Sequence, residues 1–210
     1  MSHTTDRGST RSTGPARRAV AHAVHRVGHV PGPRQGHDHE GVGDEGTATS
    51  SGVRLLAAGL RLALGWTFLW AFLDKTFGLG HETAAADAWT EGGSPTEGFL
   101  SFATAGPFAD TYQGIAGAAW ADWLFMIGLL GIGVALVLGV AMRIAVASGA
   151  LMLVLMWTAV LPPANNPFMD DHLIYAGLLV LLAALGAGRT LGLGTWWESL
   201  PIVRSNSWLR

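Results

Sequence analysis

The sequence predicts an all-α polytopic membrane protein: an antiparallel bundle of four transmembrane helices with an outer interfacial helix in its first loop. Three observations carry that prediction. Four apolar runs fall at about 55–73, 123–140, 144–161 and 172–188. Basic residues flank them on one side only, while the loops on the other side are acidic. The composition, 50% hydrophobic but only 13% charged, suits a chain whose solvent is mostly lipid. A bilayer core of about 30 Å needs roughly 17 to 25 apolar residues per helix, and inside it every backbone polar group must be paired internally. The fourth run, Leu173 to Ala187, is short unless His172 and Gly188 at its ends are counted.

Residues 1–52 read as a disordered cytoplasmic tail ahead of a membrane domain at 53–210. The tail is rich in Gly, Ser, Thr, Arg and His and has too few large apolar side chains to offset chain entropy. It lacks the apolar stretch of a secretory signal, so the first span is expected to be retained as the anchor. His22, His25 and His29 share helical spacing, with His37 and His39 following, a pattern able to hold a metal weakly. Gly28, Pro31, Gly32 and Pro33 oppose the ordered helix this needs, and a solvated tail near anionic lipid is the preferred reading.

Orientation follows from the charges. Arg54 precedes the first run, Arg143 lies between the second and third, and Arg189 and Arg204 follow the fourth. The loop from Asp74 to Asp122 holds only Lys75 as a base against seven acids, and the loop from Pro162 to Asp171 has no Lys or Arg. The positive-inside rule therefore places both termini in the cytoplasm and the protein in the cell (plasma) membrane as a multi-pass chain. No nucleic-acid partner is expected. Cysteine is absent, which excludes disulfide exchange, thiolate metal sites, cysteine-ligated iron–sulfur clusters and thioether-attached haem within this chain. Any redox-active atoms belong to a bound group, a substrate or a partner subunit, and no covalently attached cofactor is expected.

In the long outer loop, Ser94-Pro95-Thr96-Glu97 is a capping box with proline at the first helical position, predicting a helix from Pro95 towards Ala105. Phe99, Leu100 and Phe102 make it apolar, yet it is too short to span, so it is expected to lie in the headgroup region. An ordinary surface helix is the alternative. Small residues spaced by four, at Ala135 and Gly139, Ala145 and Gly149, and Ala183 and Ala187, allow close backbone packing. Most tryptophans fall near span ends as an aromatic belt; Trp66, Trp70 and Trp157 are also placed to stack on a quinone.

Polar residues at membrane depth are the functional pointers. Arg61 lies about 9 Å inside the first run at 1.5 Å per residue. Either it snorkels to the cytoplasm, the plainer reading, or it turns inward to bind an anionic headgroup, a quinone oxygen or a carboxylate. Asp74 and Lys75 end the first span on the face where Asp170, Asp171 and His172 begin the fourth. With His81 and Glu82 they compose a shallow polar site suited to proton exchange with a quinone or, through Lys75, to binding an anion. The plainer alternative has Asp170 or Asp171 capping the fourth helix while Asp74 and Lys75 mark the interface. The ligand spacing matches no specific metal pattern, and no metal site is assigned. Asn165-Asn166-Pro167-Phe168 is expected to form a tight turn, with two amides able to donate to a carbonyl.

The stretch from Arg61 through Gly65-Trp66-Thr67-Phe68-Leu69-Trp70 to Asp74-Lys75 carries a family resemblance, as do Gly98-Phe99-Leu100, Met142-Arg143, Asn165-Asn166-Pro167-Phe168-Met169-Asp170-Asp171-His172 and Gly186-Ala187-Gly188-Arg189. Over roughly residues 53–210 the chain resembles the DoxX/DoxD family. These are small four-helix membrane proteins, some of them subunits of thiosulfate:quinone oxidoreductase. The resemblance implies a four-span fold and a quinone-linked oxidoreductase subunit acting with a membrane quinone, a second subunit or a homo-oligomeric copy. No family catalytic motif transfers to particular positions, so the residue roles rest on the physical argument. Arg61 or His172 is expected to orient the quinone, His172 with Asp171 to move its proton, and Lys75 beside Asp74 to attract an anionic donor such as thiosulfate, against the acidity of the loop. The alternatives are a non-catalytic anchor or assembly partner of a redox or detoxifying complex, favoured by the lack of cysteine, and a small-solute carrier, disfavoured by the lack of an inverted repeat.

Overall fold

The structure, a computed structural model, describes residues 50–210. The reading of the tail, including His22, His25, His29, His37 and His39, lies outside the described residues except at 50–52, where Ser51 and Gly52 already belong to the first helix. All secondary structure among the described residues is helical.

Helix α1 spans Ser51–Phe77, 27 residues, and Ser50 caps it by accepting the Val53 N–H at 3.3 Å. A single turn, α2, follows in the long loop at Ala109–Gln113. Helices α3 (Ala119–Leu138, 20 residues) and α4 (Met142–Ala159, 18 residues) come next, joined by a tight link. These three long helices, α1, α3 and α4, are long and apolar enough to cross a membrane. The fourth run forms α5, Asp171–Ala184, of only 14 residues. It is shorter than the expected 172–188 because Gly186 turns left-handed, at φ +63°, and stops the helix. At 1.5 Å per residue α5 is about 21 Å long, less than a hydrocarbon core. Two short helices, α6 (Gly194–Ser199) and α7 (Pro201–Ser205), complete the chain.

Helix α1 packs against α3 and α4 against α5, with α3–α4 and α1–α5 contacts closing the group. Their shared core contains Leu64, Phe68, Met126, Ile132, Leu136 and Leu179. Glycines set the separations: Gly65 faces Leu136 and Val137, Gly133 faces the Leu69 backbone, and Gly149 faces Leu179. Residue numbers run in opposite senses along α1 and α3. The outward faces are apolar too, with Leu56, Trp66, Leu124, Ile127, Leu151 and Val180 all exposed. A helix apolar all round is what a lipid environment selects.

The long loop follows its capping box but not at the expected length. Ser94 Oγ accepts the Glu97 N–H at 3.2 Å, and helical turns continue to Ala103, where the last five residues, Phe99–Ala103, widen to π-helical bonding. The loop docks on the end of α4: Ala105 N–H donates to Ala159 O at 2.9 Å, and the Tyr112 hydroxyl lies 2.6 Å from Thr158 Oγ1.

Candidate functional site

The polar cluster at the start of α5 is built from the turn before it. Asn166 Oδ1 accepts the N–H groups of Phe168 and Met169 at 3.0 and 2.9 Å, the side-chain turn expected of asparagine. Trp157 pins that turn from α4, donating its indole N–H to Phe168 O at 2.8 Å with the two rings 5.1 Å apart. Trp157 is thereby a positioning residue for the turn. Asp170, in extended conformation at φ −138°, is the N-cap, and its Oδ1 accepts the Leu173 N–H at 3.2 Å.

The same extended backbone swings the second oxygen of Asp170 to within 2.7 Å of His172 Nδ1. Asp171, the expected proton partner, is the first residue of the helix and sits farther off at 3.8 Å with its side chain 70% exposed. The partner of His172 is therefore Asp170. A hydrogen bond from Nδ1–H to the carboxylate fixes the imidazole orientation and leaves Nε2 as the acceptor of the neutral ring. Asn165, Asn166 and His172 line a cavity of about 530 Å³ together with Val160, Met169 and Ile174. Asp170, Asp171 and His172 also place one donor atom each within 4.8 Å of one another, an incomplete ligand set whose Nδ1 is already engaged.

The other expected site residues are placed elsewhere. Asp74 is buried, and its carboxylate accepts the backbone N–H groups of His81 at 3.2 Å and of Glu82 and Thr83 at 3.0 Å each. It closes the start of the long loop on the end of α1. Lys75 Nζ lies 3.8 Å from Glu82, and Trp70 packs against the His81 ring at 5.1 Å. Among the described residues no hydrogen bond or ion pair joins this group to Asp170 and His172.

Arg61 does not snorkel. It is fully buried, and its guanidinium donates to four carbonyls: Leu136 and Val137 at the end of α3, and Thr190 and Leu191 in the segment after α5. Leu136 and Val137 lie at the α3 C-terminus, the negative end of the helix dipole, where Leu136 O also accepts the Gly139 N–H at 3.2 Å; with the Thr190 and Leu191 carbonyls they stand in for a counter-ion. Only Nε lacks a partner among the described residues. With both terminal nitrogens engaged, Arg61 holds α1, α3 and the 190–191 segment together rather than presenting a cation to a quinone or anion.

One buried charge was not singled out from sequence. Asp122, in the first turn of α3, uses Oδ1 to accept from Ser94 Oγ at 2.8 Å, Thr96 N–H at 3.1 Å and Thr96 Oγ1 at 2.6 Å. The signal was available: an acid opening an apolar run, in the same loop as a Ser-Pro-Thr box rich in donors.

Among the described residues, fold and site together define an all-helical membrane domain with three helices able to cross a membrane and an aspartate–histidine pair where a shorter fourth begins. The chain matches no family model, no curated protein and no solved structure.

Proposed function

We propose that this chain is the membrane subunit of a quinone-linked oxidoreductase of the DoxX/DoxD type. In this reading α1, α3, α4 and α5 form an antiparallel four-span bundle in the cell membrane, both ends cytoplasmic, with α5 reaching across by way of its flanking turns. The opposed numbering of α1 and α3 and the one-sided arginines support that topology. The π-helical turn, with Phe102 88% exposed, and the exposed Phe108 later in the long loop support an interfacial position for it.

The observation that carries the function is the Asp170–His172 pair at a cavity whose size falls within the roughly 300 to 1,000 Å³ of small-molecule sites. Its lining fits a quinone head: apolar walls from Val160, Met169 and Ile174, and amide donors from Asn165 and Asn166 for a carbonyl oxygen. A bound quinone would supply two-electron, two-proton redox chemistry. His172 Nε2 exchanges a proton with the head group, Asp170 stabilises the imidazolium, and Trp157 with Asn166 holds the turn in place. The electrons originate from a small reduced compound, thiosulfate being the family precedent. Because the long loop is acidic and Lys75 already faces Glu82, they reach this site through a partner subunit rather than an anion bound by Lys75.

The test is quinone reduction by the purified, lipid-reconstituted protein, with and without thiosulfate and a donor-oxidising partner. Reduction lost in His172→Ala and in Asp170→Ala is the expected result. No reduction from folded protein under any of these conditions leaves the second reading, a non-catalytic anchor. One observation favours it: Arg61, Asp74 and Asp122, the most buried charges, are all spent on holding the fold.

A further inference from the structure

At the opposite end of α5 lies a second cavity, of about 230 Å³. That is below the roughly 300 Å³ at which pockets for drug-sized ligands begin, so it suits a small charged group. Its floor is backbone. A Cβ on Gly188 would fall 2.6 Å from Gly139 O, and one on Gly194 would fall 2.5 Å from Gly188 O, so glycine at these positions lets the segments touch. Arg61, next to Gly139, ties the end of α3 to the 190–191 segment by donating to Val137 O and Leu191 O.

The rim carries Arg143, Arg189 and Arg210 against one side-chain carboxylate, Glu198. Each arginine is held by part of its guanidinium: Arg143 donates to Ser207 O at 2.7 Å, Arg189 pairs with Glu198 at 3.0 Å, and Arg210 donates to Arg204 O at 3.2 Å. Among the described residues, Arg143 Nη2, Arg189 Nη1 and Arg210 Nη1 have no partner. The forks are therefore oriented, yet still have donors to give. Trp197, fixed by its indole bond to Leu209 O at 2.7 Å, supplies an aromatic wall. The first turn of α4 opens here with no acid and no capping side chain, and its Arg143 N–H is taken by Arg210 O at 2.9 Å, so the cationic character of the cavity rests on the guanidinium groups.

We infer that this cavity binds a phosphate group through Arg143, Arg189 and Arg210, presented by an anionic phospholipid headgroup or by a free phosphate. Guanidinium forks match phosphate oxygens geometrically, and an excess of arginine over carboxylate in a small cavity favours an anion over a zwitterion. The site is separate from the His172 cavity, so binding here stands or falls independently of quinone chemistry.

The full chain, purified in detergent, is exchanged against equal phosphatidylglycerol and phosphatidylcholine, and the retained lipid is read by native mass spectrometry. Inorganic phosphate is titrated into a parallel sample holding phosphatidylcholine only. Arg143→Gln and Arg189→Gln should each lower phosphatidylglycerol enrichment about fivefold, and Glu198→Gln should raise it. Arg54→Gln, outside the cavity, should leave it unchanged. If loss of the Glu198 pair unfolds Arg189→Gln, Arg189→Lys and Glu198→Gln carry the comparison. Phosphatidylglycerol enrichment with no phosphate binding in the parallel sample assigns the site to lipid; phosphate binding weakened by the same variants assigns it to the soluble anion. Equal retention of both lipids with no phosphate binding overturns the inference, as does enrichment that all the cavity variants leave unchanged.

Discussion

Arg61 near the start of α1 and His172 at the start of α5 are both titratable groups placed within or beside apolar helices, and the structure treats them differently. Arg61 has no exposed surface and spends both terminal nitrogens on carbonyls of α3 and the 190–191 segment. His172 keeps 22% of its side chain accessible, spends Nδ1 on Asp170 and lines a cavity. An ionisable group beside apolar helices is a functional pointer only while an unspent donor or acceptor is also accessible; the unpaired Nε of Arg61 is fully buried. Burial alone is answered as well by helix-end carbonyls as by a ligand.

That contrast fixes the order of expected effects. Arg61→Met keeps the stem but leaves the Val137, Thr190 and Leu191 carbonyls without their donor, and at about 1 to 3 kcal/mol per unsatisfied group should cost about 3 to 5 kcal/mol, read as a lower unfolding midpoint and loss of the monodisperse peak in detergent. Arg61→Lys should recover only part of this, since an ammonium cannot reach both pairs of carbonyls. Asp122→Ala strips three donors of their acceptor and should cost about 1 to 3 kcal/mol, with faster proteolysis between Ser94 and Thr104. Asp74→Ala should loosen residues 81–83 by a smaller amount, about 1 to 2 kcal/mol, seen as faster amide exchange there. His172→Gln should change stability by less than about 1 kcal/mol. A stability loss from His172→Gln as large as that from Arg61→Met would erase the distinction.

The helices were legible because apolar runs of span length admit few alternatives, and the Ser94 box announced its own turn. The early end of α5 was less so: Gly186 could have continued a helix at modest cost, but it turns left-handed just before Gly188, whose backbone packs closely on Gly139. The partners of Arg61 were invisible because main-chain carbonyls have no signature in a sequence. His172 was legible as a residue needing a partner. Asp171 is the partner expected from the sequence, whereas the hydrogen-bonded neighbour is Asp170, which takes the extended cap conformation.

The most direct measurement is the quinone-reduction rate per folded molecule for Arg61→Lys and His172→Gln, reconstituted with the donor-oxidising partner. The account predicts that Arg61→Lys gives less folded protein but a near-normal rate per molecule. His172→Gln should fold normally and fall about 100-fold, the lower end of what a lost acid–base group costs. A normal rate in His172→Gln, or a rate lost in well-folded Arg61→Lys, would contradict it.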